Sequence, residues 1–69
     1  MPIYLAHADQ DVTIVGITGS DKIKNHLANL GFVVGETVRI INVVDENLII
    51  KVKGVSMALS HDMAKRIMV

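Results

Sequence analysis

Apolar and polar positions alternate along this chain with two different periods. Ile3-Tyr4-Leu5-Ala6 is a short apolar run after Pro2 and reads as extended, and His7-Ala8-Asp9-Gln10-Asp11 reads as a polar turn. Val12-Thr13-Ile14-Val15-Gly16-Ile17 is β-branched and predicts one strand, with Gly16 marking a bulge or a close backbone approach. The period then changes. Ile23, Leu27 and Leu30 recur at i, i+4 and i+7, one apolar stripe of a helix over Ser20 to Leu30. Ser20 suits the N-cap, Asp21 suits the positive end of the helix, and Gly31 stands where a left-handed residue stops it. On this reading Lys24, Asn25 and Asn29 lie off the stripe, toward solvent.

Beyond Gly35 the period returns to two. Thr37 to Val44 is dense in Val and Ile and predicts a strand, and Asp45-Glu46-Asn47 predicts a hairpin turn. Leu48, Ile50 and Val52 alternate with Ile49, Lys51 and Lys53, which predicts a half-buried strand. After a turn at Gly54, Val55, Met57 and Leu59 alternate with Ser56, Ala58 and Ser60. Ser60 to Lys65 suits one helical turn capped by Ser60, and Ile67-Met68-Val69 a last short strand. About five short strands and one helix, without a linker or a repeat, predict a mainly β, partly closed barrel in one domain over 1–69.

Composition narrows the function. Hydrophobic residues make up 51% of the chain, and a 69-residue domain needs nearly all of them for its core. Seven basic and seven acidic residues balance, so the basic excess expected of a nucleic-acid binder is missing. Tyr4 and Phe32 are the only aromatic residues, too few for a base-stacking platform or for the groove that grips proline-rich peptides. There is no cysteine, so thiol catalysis, thiolate metal sites and disulfides are ruled out. No apolar run approaches the ~20 residues of a membrane span or the ~7–15 of a signal-peptide core. These features predict a cytoplasmic protein without membrane insertion.

Candidate chemistry is sparse. His7, Asp9 and Asp11 alternate, an imidazole and carboxylate donor set that suits a divalent metal ion, but in a turn they need share no face. His26 sits at the edge of the helix stripe, and His61-Asp62 reads as a solvated turn. Ser60 adjoins His61, yet adjacency does not make a nucleophile–base pair. Gly16-Ile17-Thr18-Gly19-Ser20 lacks the spacing and the Lys of a phosphate-binding loop. No catalytic residue, metal ligand or cofactor is assigned.

The stretch from Leu27-Ala28-Asn29-Leu30-Gly31-Phe32 through Val33-Val34-Gly35 to Glu36-Thr37-Val38 resembles the pattern of the FeoA family, in which a short helix ends in Leu-x-x-Leu-Gly-Phe. Gly19, Ile14-Val15-Gly16-Ile17 and the tail Gly54, Ala58-Leu59, Ala64, Ile67 and Val69 are similar too. The chain departs near Asp9-Gln10, at Ser60 and in a helix whose only lysines are Lys22 and Lys24. The resemblance implies an SH3-like barrel and a cytoplasmic accessory of ferrous iron uptake that contacts the membrane GTPase transporter FeoB. Leu27, Leu30, Gly31, Phe32 and Gly35 are then scaffold, with Leu27 and Leu30 covering the barrel. The helix and following turn, through Lys22, Lys24, Asn25, Asn29, Val33 and Val34, are the candidate partner surface. Two other readings are an SH3-like regulatory module related to the C-terminal domain of iron-dependent repressors, and a small metal carrier using His7, Asp9 and His61.

Overall fold

In the computed structural model, which describes residues 1–69, four antiparallel strands form the main sheet in the order β1-β3-β4-β5. They are β1 (Gln10–Thr13), β3 (Thr37–Val44), β4 (Asn47–Val52) and β5 (Val55–Ser60). A second, two-stranded sheet pairs β2 (Gly16–Ile17) with β6 (Ile67–Met68). Helix α1 (Asp21–Asn29) and the four-residue helix α2 (His61–Ala64) complete the barrel.

The inner face follows the period-two pattern. Leu48, Ile50 and Val52 are buried from β4 and Val38 and Ile40 from β3, with Ile40 directly opposite Ile50. Phe32 is fully buried with Leu27, Ile14 and Ile67, so the one large ring after the helix fills the gap between helix and sheets. The β4–β5 connection is the two-residue turn Lys53-Gly54, both at positive φ, as the twist of a tight hairpin requires.

Four expectations need correction. Ile3 to Ala6 is not extended: Ile3–Leu5 form a 3₁₀ turn, with the Leu5 and Ala6 N–H groups donating to Pro2 and Ile3. This turn swings the fully buried Ile3 into the core while Tyr4 and Leu5 face out. The strand expected over 12–17 is broken between the sheets. Ile14 still bonds to Glu36 and Gly35 beside β3, whereas the Val15 N–H donates to Met68. The bulge is at Ile41 rather than Gly16, because Ile40 pairs with Ile50 and Asn42 with Ile49. Finally, Leu30 does not cover the barrel: it is the C-cap of α1 and 37% exposed, leaving Leu27 and the half-buried Ile23 as the helix anchors.

Candidate partner-binding surface

Local sequence fixes how α1 sits. The Ile23 N–H donates to the Ser20 side chain at 3.4 Å, so the expected N-cap is present. At the other end the Phe32 N–H donates to the Leu27 carbonyl and the Gly31 N–H to the Ala28 carbonyl, at 2.9 and 3.0 Å. That pair of bonds is a Schellman motif, with Gly31 at φ +103° in its left-handed position and the apolar pair Phe32 and Leu27 beneath it. Gly35, at φ +92°, turns the chain into β3.

The helix presents Lys22, Lys24, Asn25 and Asn29 to solvent, and Val33 and Val34 are exposed beyond it. These six do not share one face. At about 100° per residue, Asn25 points directly away from Ile23 and Leu27, while Lys22 and Lys24 diverge to opposite flanks, about 160° apart. Asn29 shares the flank of Lys22, and Ala28 that of Lys24. His26, expected at the edge of the buried stripe, is exposed.

An open cleft of about 410 Å³ lies at the C-terminal end of α1, lined by Ala28, Asn29, Leu30 and Gly31 on one side and Val52, Lys53, Val55 and Met57 on the other. Leu30 and Val55, 37% and 59% exposed, are its apolar rim. The alternation in β5 reads Val55 and Leu59 alike, but only Leu59 is buried, while Val55 lines the open cleft at the end of α1.

The candidate chemical residues are dispersed. No three of the His, Asp and Glu side chains come together in a way that could hold a metal ion. Asp11 instead meets Arg39 across β1 and β3 at 3.1 Å, a cross-strand ion pair that the sequence did not announce. The Ser60 hydroxyl accepts from the Met63 N–H and caps α2, and the His61 ring leans on Tyr4 with centroids 4.6 Å apart. No helix is long and apolar enough to cross a membrane.

The strand order and the capped helix define a small SH3-like barrel. The FeoA domain matches over residues 1–69, and the chain belongs to the FeoA family. An iron uptake regulatory protein FeoA superposes with a TM-score of 0.90 at 26% identity, covering 99% of this chain and 90% of that one. The zinc-complexed FeoA of Stenotrophomonas maltophilia, described as a procaryotic SH3 domain protein, gives 0.84 at 29% identity over 100% of this chain and 88% of its own. A manganese-dependent transcriptional repressor gives 0.85 at 11% identity, over 97% of this chain and 39% of that one, a likeness of fold. No match was found among curated proteins.

Proposed function

We propose that this protein is an accessory factor of ferrous iron uptake that acts by contact with the cytoplasmic part of an FeoB-type membrane GTPase transporter. FeoA membership over the whole matched range carries the reading. The S. maltophilia relative, for which a role as a ferrous iron transport activating factor has been suggested, supports it. The contact surface we assign is the C-terminal end of α1 and the turn after it. Leu30, Val33 and Val34 supply exposed apolar area there, at 37%, 39% and 64%, Asn29 adjoins Leu30, and Asn25 is exposed one turn earlier on the opposite side of the helix. Apolar contacts of this kind set the lifetime of a complex, while Lys22 and Lys24 steer its encounter.

The experiment is binding of purified protein to the cytoplasmic part of the transporter, with folding checked by circular dichroism. Val34→Glu is expected to shorten the lifetime of the complex at least tenfold. Lys24→Glu with Asn25→Ala is expected chiefly to slow association and to blunt its salt dependence. A folded Val34→Glu variant that binds like the parent moves the interface off this surface, and failure of the parent to bind removes the transporter reading. The reading as a repressor-like regulatory module rests on fold likeness alone. The carrier reading has no gathered ligand set behind His7, Asp9 and His61.

A further inference from the structure

A second concavity, of about 310 Å³, opens at the other end of β4 from the α1 cleft. Its apolar wall is Val43, Leu48 and Ala64, its aromatic side is Tyr4 with His61, and its rim is Asp45 and Glu46 of the β3–β4 turn. Tyr4 is 36% exposed and is braced by the His61 ring at 4.6 Å, tilted by 56°. The ion pairs of the molecule are Arg39 with Asp11 and Lys65 with Asp62, so both rim carboxylates are without a cation partner. No Lys or Arg lines the pocket. Asp45 stands at φ 56°, in the left-handed region, within the turn that lines the concavity.

We infer that this pocket receives an arginine side chain of a partner polypeptide. The match is chemical at each part of the side chain. The methylenes of arginine have Val43 and Leu48 to lie on. The planar guanidinium has an aromatic ring in Tyr4, whose π-electrons attract a cation. Its fork of N–H donors has two unpaired carboxylates in Asp45 and Glu46. Arginine fits better than lysine because guanidinium is flat and more weakly hydrated, so stacking costs it less solvation. The site is separate from the α1 surface and does not depend on the identity of the transporter.

The test is an NMR titration of the ¹⁵N-labelled protein with N-acetyl-arginine amide, set against the lysine analogue and the isosteric, uncharged citrulline analogue. The arginine probe is expected to shift the amides of Tyr4, Val43, Asp45, Glu46 and His61 in one saturable process. Lysine is expected to bind more weakly and citrulline not at all. Asp45→Asn is the key variant, because Asn also accepts a left-handed backbone and keeps the turn. It and Glu46→Gln are each expected to weaken arginine binding about tenfold, the loss of one charge-assisted hydrogen bond. Equal shifts with citrulline, shifts unchanged in both variants, or shifts spread equally to Asp21 and Glu36 would overturn the assignment.

Discussion

At the scale of single residues, two glycines separate backbone strain from crowding. Gly31 and Gly35 both sit in the left-handed region, but their surroundings differ. A Cβ on Gly31 would lie 3.0 Å from Cγ1 of the buried Val52, whereas one on Gly35 would meet nothing within 4 Å. Gly35→Ala therefore carries the conformational cost alone, about 1–2 kcal/mol. Gly31→Ala adds the displacement of Val52 against a packed core and should lose about 1 kcal/mol more. Urea midpoints at matched m-values report the difference, and equal losses would show that Val52 gives way freely. The special role of Gly31 was readable from its place after the helix stripe. Its contact with Val52 was not, since that contact depends on where β4 passes the helix end.

Elements were read well where a period was sustained and poorly where the chain changed partners. The alternation of Leu48, Ile50 and Val52 placed β4 on its correct face because a strand buried on one side cannot slip by one residue. Ile14-Val15 looks locally like uninterrupted strand. The corner there is made by Glu36 and Met68, residues far along the chain. The candidate surface was legible in the same uneven way. Exposure of Lys22, Lys24, Asn25 and Asn29 followed from the helix period, but the cleft beside them needs β5, and the Tyr4–His61 pocket needs both ends of the chain. Leu30 shows how a stripe misleads at its last position. Helical spacing alone put it beside Leu27, yet the helix ends one residue earlier and the side chain leaves the core. Truncation tests this directly. Leu27→Ala, at a fully buried site, is expected to cost about 2–5 kcal/mol, and Leu30→Ala well under that. Comparable losses from thermal or urea unfolding would restore Leu30 to the set of anchors.

Across the whole molecule, the smallest sheet has the largest topological task. The β2–β6 pair contributes only four residues, but it joins the segment after β1 to the last residues described, and Pro2 bridges Met68 beside it. Met1 and Val69 exchange two backbone hydrogen bonds, of 2.8 and 2.9 Å, and Thr18 N–H donates to Arg66 at 2.8 Å. Ile67, fully buried, brings this sheet into contact with the common core of Phe32, Ile14 and Leu27. A sheet of two short strands has no stability of its own, so it forms only if the main sheet and helix are already packed. The converse dependence is the informative one. If closure is part of a single cooperative core, Ile67→Ala should lower global stability by about 2–5 kcal/mol, as for other buried isoleucines. The unfolding transitions seen by far-UV circular dichroism and by Tyr4 fluorescence should then move together. Amide exchange in the central strands β3 and β4 should accelerate along with that at Val15 and Thr18. The opposite result is equally concrete. Fast exchange confined to Val15, Thr18 and residues 66–69, with β3 and β4 unchanged, would make the second sheet a local flap on a self-sufficient four-stranded sheet. That outcome would also loosen the 3₁₀ turn that carries Tyr4, and with it the aromatic side of the arginine pocket, so the same exchange map shows how firmly that pocket is built.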